Sequence, residues 1–185
     1  MTERLAPGSV IGILGGGQLG RMLAMAAARL GYRCHVYEPG AAPAAEVARD
    51  WTQAAYDDLD ALRRFAQGCD LITYEFENIP PAALDVLADT TPLFPGRRAL
   101  EVSQDRLAEK TFLADLGLVT APFAAIDGAG DLAAALAATG TPAILKTRRF
   151  GYDGKGQARV ATPAEGEAAL ATLAGAPSIA EGFVR

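Results

Sequence analysis

The chain has 185 residues, half of them hydrophobic, with 22 acidic and 17 basic side chains and a formal net charge of -5. That length and apolar content support one packed domain, or one domain with part of another, and exclude a disordered chain. The acidic balance leaves no global basic field for nucleic acid or an anionic membrane, so a phosphate ligand requires a local cationic site.

The opening "MTERLAPG" is polar, and the apolar run after it is too short for a cleavable leader or a membrane span, which predicts a cytoplasmic protein. Residues 9–14, "SVIGIL", read as a buried strand, and "GGGQLGR" (15–21) follows as a turn. The helix "QLGRMLAMAAARLG" aligns Leu19, Met22, Leu23, Ala26 and Leu30 on one face and ends at Gly31. "RCHVYEP" is a second strand stopped by Pro39. An alanine-rich connection leads to a helix near 57–67, with Leu59, Leu62 and Phe65 aligned. "CDLITYEFE" (69–77) is a further buried strand, and "PPAALDVLAD" opens a helix with proline in its first turn. Strands alternating with helices over about the first hundred residues predict a parallel sheet covered on both faces, with ligands at the carboxyl ends of its strands.

Beyond "LFPG" the texture changes. "SQDRLAEKTFLADLG" reads as a capped helix, with Ser103 as N-cap and Leu107, Leu113 and Leu116 as apolar contacts. "APFAAI" and "PAILKT" read as strands and "DLAAALAATG" as a helix; the glycine-rich loop "RRFGYDGKGQ" then leads into "ARVAT", a short helix and finally "SIAEGFV". This second block is expected to be a small α+β unit that begins without finishing. Cys34 and Cys69 read as small buried hydrophobes rather than a disulfide, and the single His35 as a packed strand residue, too isolated for a zinc site.

Three constellations carry chemistry. In the glycine turn, Gly15 permits a tight bend, Gly17 a close ligand approach and Gly20 close helix–strand packing; the helix start behind them attracts anions. Glu38, at the end of the second strand, suits a ribose hydroxyl, as a dinucleotide enzyme requires. Gln18 and Arg21 place an amide and a cation at the turn, which suit a phosphate monoester equally well. In "TYEFENIP", Glu75 and Glu77 are two apart and would share one face of a strand, ready to orient an amine or hydroxyl, although acids at an exposed strand end are unremarkable. Third, Lys146 ends the apolar strand "PAILK", and "GYDGKG" follows with Tyr152, Asp153 and Lys155 among three glycines. Such a loop can close backbone N–H groups over phosphates. Only three of the 17 cations are lysines, so two of them in one short segment argue for phosphate binding over a solvated hairpin tip. The loop lacks the GK[ST] of a Walker sequence, and no serine sits in a nucleophile elbow.

Taken in order, "GGGQLGRML", "DLITYEFENIP", "SQDRLAEKTFL", "PAILKTRRFGYDGKGQ" and "AEGFV" resemble the N-terminal half of the N5-carboxyaminoimidazole ribonucleotide synthases, purine-biosynthesis ligases of the ATP-grasp superfamily. The resemblance runs through nearly all of the chain. It implies an α/β architecture: a Rossmann-like parallel-sheet pre-ATP-grasp domain over 1–104, then the first, lid-bearing part of an α+β ATP-grasp domain over 105–185. It implies that the glycine turn seats a ribonucleotide instead of a dinucleotide, through Gly17, Gln18 and Leu19, with Glu75 or Glu77 across the cleft. Nucleotide contacts map to Arg106, Lys146, Gly151, Tyr152, Asp153, Gly154, Lys155, Gly156, Gln157, Glu181, Gly182, Phe183 and Val184. Tyr152, Asp153 and Lys155 would also border the bicarbonate and aminoimidazole site as catalytic residues. The implied substrates are ATP, bicarbonate and aminoimidazole ribonucleotide, and the implied metal is Mg²⁺. The family continues past the point matching Arg185 with its metal ligands, so the resemblance implies no metal ligand within this chain, no activity of it alone, and a homodimer at full length. Two other readings stay open: an NAD(P)-dependent oxidoreductase using the first domain, and another ATP-grasp ligase of purine metabolism. A non-catalytic binding or oligomerisation fragment is a further alternative.

Overall fold

The computed structural model describes residues 4–151 and 154–184, and the chain divides into two compact units, Met1–Leu100 and Glu101–Arg185. In the first, four parallel strands lie in the order β3-β2-β1-β4: β1 (Val10–Leu14), β2 (Arg33–Tyr37), β3 (Asp50–Thr52) and β4 (Leu71–Tyr74). The apolar run "VIGIL" suits β1 because a central parallel strand is covered on both faces. One face packs a core of Leu14, Tyr37, Leu62, Phe65, Ile72 and Leu84 under α2 (Leu59–Gln67) and α3 (Pro81–Ala88). The other packs Ile13, Cys34 and Ala24 under α1 (Gln18–Arg29). Strand order reverses direction about β1, so β1 and β4 form the switch point at which the carboxyl ends open a crevice.

The helical face expected to bury itself does the opposite. Leu19, Met22, Leu23 and Leu30 of the α1 stripe are exposed, while Gly20 and Ala24 are buried against the sheet. Close approach is the reason: a Cβ on Gly20 would stand 2.6 Å from the Gly15 carbonyl oxygen, so that position takes glycine and not even alanine. Gly20→Val is therefore expected to destabilise the first unit by about 2–3 kcal/mol through overpacking against backbone. Urea unfolding checks this against Gly128→Ala, where the added Cβ meets nothing within 4 Å.

In the alanine-rich connection, the three-residue β3 pairs His35 with Asp50 and Tyr37 with Thr52. His35 is a packed residue, as expected: its Nε2 lies 2.8 Å from Thr52 Oγ1 and its ring meets Phe65 edge-on. Cys34 is buried, Cys69 is half-buried and both are free thiols; burial pushes the Cys69 thiol up to about 12.

A short helix, α4 (Arg97–Ser103), leads into the second unit. There an antiparallel sheet runs β5-β8-β6-β7: β5 (Phe123–Ile126), β6 (Ala143–Thr147), β7 (Gln157–Val160) and β8 (Ser178–Gly182). One face, with Ala143, Leu145, Val160 and Ala180, packs against α6 (Leu132–Thr139) and α7 (Gly166–Ala171). By the two-residue alternation of strands, Lys146, Ile144, Glu181 and Arg159 fall on the opposite face. Helix α5 (Arg106–Asp115) is capped by Asp105, whose carboxylate accepts from the N–H groups of Leu107 and Ala108. Ser103, expected as that cap, instead ends α4; of the three apolar contacts expected on α5, Leu107 and Leu113 are half-buried and Leu116 is exposed. Among the described residues, no helix is long and apolar enough to cross a membrane.

Candidate functional site

Each unit holds one cluster of the residues singled out from the sequence. In the second, Lys146, one residue before the end of β6, lies on the face opposite α6 and α7. Its Nζ donates to Glu181 Oε2 at 2.8 Å, and the two side chains are 24% and 12% exposed. Register explains the meeting: Ile144 lies opposite Glu181, so Lys146 is its diagonal neighbour on the same face. Lys110 of α5 approaches the same oxygen at 3.7 Å and lies 5.6 Å from the centroid of the Phe123 ring. Lys110 was not among the residues expected at the site.

The glycine loop is tied to the first turn of α5. The Arg106 guanidinium donates to the Gly151 carbonyl at 2.8 Å, and Thr147 N–H donates to the Gly156 carbonyl at 2.8 Å. Gly156 has φ +67, and a Cβ there would stand 2.5 Å from Thr147 Oγ1, so this position requires glycine on both counts. Gly154 and Lys155 are exposed at the tip, and Gln157 begins β7. Gly182 ends β8, and the N–H of Phe183 donates to the Pro142 carbonyl. Phe183 carries the Arg159 guanidinium over its ring at 4.9 Å, and Val184 is exposed. Tyr152 and Asp153, expected as catalytic residues, lie outside the described residues.

Asp105 holds this assembly from beneath. Its carboxylate accepts from Arg148 Nε on Oδ1 at 3.0 Å and from Arg148 Nη2 on Oδ2 at 2.8 Å, a bidentate pair, while also capping α5. Burial alone would raise its carboxyl; the Arg148 hydrogen bonds and charge, with the amides of Ala108 and Leu107, outweigh that and hold it below the usual carboxylate range. The opposite end of Arg148 reaches Asp127 at 3.3 Å. Asp105 and Arg148 escaped the sequence reading because a cap and its cation lie 43 residues apart.

In the first unit, the glycine turn binds the protein's own carboxylates. Gly16 N–H donates to Glu38 Oε2 and Gly17 N–H to Glu75 Oε1, each at 3.0 Å. Glu38 Oε1 also accepts from Gly40 N–H. The amides that a dinucleotide pyrophosphate would need are thus occupied by anions, and both oxygens of Glu38 are engaged by backbone instead of standing ready for a ribose. Arg21, expected beside the turn as a phosphate partner, pairs with Glu46 at 2.6 Å. Gln18 and Leu19 stand exposed at the start of α1. Glu75 and Glu77 do not share a strand face: β4 ends at Tyr74, Glu75 turns back under the glycine turn and Glu77 is exposed in the next turn. Beside them Tyr56 stacks on Phe76, ring centroids 5.7 Å apart, and burial together with Glu38 and Glu75 pushes the Tyr56 phenol up.

Residues 9–104 match the model of the ribonucleotide synthetase preATP-grasp domain family, and residues 111–185 that of the ATP-grasp domain. The chain belongs to the ribonucleotide synthetase preATP-grasp family. It is 56% identical over 183 residues to the N5-carboxyaminoimidazole ribonucleotide synthase of Brucella melitensis, covering 97% of this chain and 51% of that protein. A crystal structure of an N5-carboxyaminoimidazole ribonucleotide synthetase with ADP superposes with a TM-score of 0.92 at 40% identity, over all of this chain and 49% of that one. The Aspergillus clavatus synthase, in complex with ADP and 5-aminoimidazole ribonucleotide, gives 0.84 at 27% identity, over 96% and 47%. The chain therefore spans about half the length of the relatives it matches. The expected fold is correct: a Rossmann-like preATP-grasp domain followed by part of an ATP-grasp domain.

In this preATP-grasp protein, no group of three or more His, Cys, Asp or Glu among the described residues is placed to hold a metal ion. The carboxylates nearest the lysines are already committed, Glu181 to two ammoniums and Asp105 to Arg148. The described donor set does not fit a divalent cation.

Proposed function

We propose that this chain carries the ribonucleotide-binding domain and part of the nucleotide-binding domain of an ATP-dependent carboxylating ligase, one converting aminoimidazole ribonucleotide to its N5-carboxy form with bicarbonate. Residues 1–104 take the ribonucleotide and 105–185 begin the ATP site. The observation that carries this reading is the convergence of Lys146, Arg106 and the glycine hairpin in one unit, a phosphate-closing device that a dehydrogenase does not need. The Gly16 and Gly17 amides, held by Glu38 and Glu75, support it by leaving no N–H pair for a dinucleotide pyrophosphate. The names of the relatives, and the ADP and 5-aminoimidazole ribonucleotide bound by the A. clavatus protein, point the same way.

In the proposed reaction, a bicarbonate oxygen attacks the γ-phosphorus of ATP, ADP leaves and carboxyphosphate forms. The exocyclic amine then attacks the carboxyl carbon, phosphate departs and the amine loses a proton. Lys146 offsets phosphate charge, and Arg106 fixes the loop that shields carboxyphosphate from water. Lys155, Gly154 and Gln157 line that loop, while Glu181 to Val184 border the base. In the first unit, Gly17, Gln18, Leu19 and the second oxygen of Glu75 face the ribonucleotide. Mg²⁺ belongs to this reading as the metal of the complete enzyme, although the described residues of this chain supply no ligand set for it, as do a homodimer of the full-length enzyme and a cytoplasmic location.

Thermal-shift titration separates this reading from its rivals. ATP and aminoimidazole ribonucleotide are each expected to raise the unfolding temperature, by about 3 °C or more at saturation, and NADH to leave it unchanged. Stabilisation by NADH alone would reverse the assignment to an oxidoreductase. Stabilisation by ATP but not by the ribonucleotide would leave another ATP-grasp ligase.

A further inference from the structure

We propose that Lys110 is a positioning residue of the triphosphate site, sharing Glu181 with Lys146 so that the three side chains together present net positive charge to an anionic ligand; this rests on the nucleotide reading above. Two ammoniums face one carboxylate oxygen, at 2.8 and 3.7 Å, and all three side chains are at least three-quarters buried. A single Lys146–Glu181 pair would be neutral and would present little field to a phosphate. With Lys110 the group carries a net positive charge, and holding that surplus charge away from solvent is costly unless an anion completes it.

The placement of Lys110 is specific. It lies four residues after Arg106, on the same face of α5, so the helix presents one cation to the glycine loop and the next to Glu181. Like charges at that spacing oppose helix formation, which argues against a purely stabilising purpose. The ammonium is held over Phe123, which lies directly opposite Glu181 in the β5–β8 register. Helix α5 is in turn anchored by Asp105 and Arg148. Lys110 thus reaches Glu181 from a fixed direction while Lys146 stays on the strand. Its effect passes through Glu181 and Lys146.

The test uses the 185-residue chain with Lys110→Met, Lys110→Gln and Lys110→Arg, titrated calorimetrically with a non-hydrolysable ATP analogue and with adenosine. The neutral variants are expected to bind the triphosphate about tenfold more weakly and with a shallower salt dependence, while adenosine affinity holds. Lys110→Arg is expected to retain triphosphate affinity within about threefold. Unchanged triphosphate binding in a folded neutral variant overturns the assignment, as does an equal loss for triphosphate and adenosine. Absence of triphosphate binding to the unsubstituted chain overturns the nucleotide reading itself, and this assignment with it.

Discussion

Asp105→Ala is expected to lower the stability of the second unit by about 3 kcal/mol. Two effects add. Loss of the side-chain cap frees the N–H groups of Leu107 and Ala108, which costs about 1 kcal/mol. Arg148, only 26% exposed, also loses its bidentate partner and keeps the weaker 3.3 Å contact with Asp127; removing one partner of a charged hydrogen bond costs about 2 kcal/mol more. The pH dependence has a definite sign. The carboxyl lies below its unfolded value, so its contribution is complete above the ordinary carboxylate range, near pH 4, and is lost as pH falls through the lower folded value. Urea unfolding of the unsubstituted chain between about pH 6 and pH 3 should steepen accordingly, and Asp105→Asn should flatten that slope. Equal slopes for the two proteins would mean that the Arg148 pair contributes nothing. Because α5 carries Arg106 and Lys110, the alanine variant should also weaken triphosphate binding.

The strand–turn–helix opening was legible because its signals are local. An apolar run, glycines at fixed spacing and a helical period all fall within twenty residues, and β1, the turn and α1 follow them. The inward face of α1 was not legible. Helical periodicity places large apolar residues inside, but the sheet lies so near that only Gly20 and Ala24 fit, and Leu19, Met22 and Leu23 turn outward. The acidic pair failed for a related reason. Alternation along a strand assumes that the strand continues, and β4 stops at Tyr74, where the Gly17 amide captures Glu75. In "SQD", two residue types compete for the cap, and nothing within the stretch discloses that Arg148 favours Asp105. Lys110 was hidden most completely, since it meets Glu181 across 71 positions of sequence; its one signal was the scarcity of lysine in this chain.

Lys146→Met should have the larger functional effect, reducing affinity for a non-hydrolysable ATP analogue about thirtyfold or more. The figure follows from about 2 kcal/mol for a charge-assisted hydrogen bond to phosphate. Ammonium loss also leaves Glu181 with Lys110 alone at 3.7 Å, so the surplus positive charge vanishes and the carboxylate oxygen at 2.8 Å loses its donor. Methionine preserves the length and apolar stem of lysine, and β6 keeps Ala143 and Leu145 in the core, so the fold should persist at a cost of about 2 kcal/mol for the Glu181 carboxylate that loses its donor. Arg106→Met is the instructive contrast. Its guanidinium donates to the Gly151 carbonyl, so its loss should loosen the hairpin before it removes charge from the phosphates. Backbone amide exchange of Gly154 to Gln157 should therefore quicken in Arg106→Met and stay unchanged in Lys146→Met, while both lose triphosphate affinity. A Lys146→Met protein that binds the analogue as tightly as the unsubstituted chain would remove the phosphate-binding role from β6, and with it the argument that this sheet face is a nucleotide site.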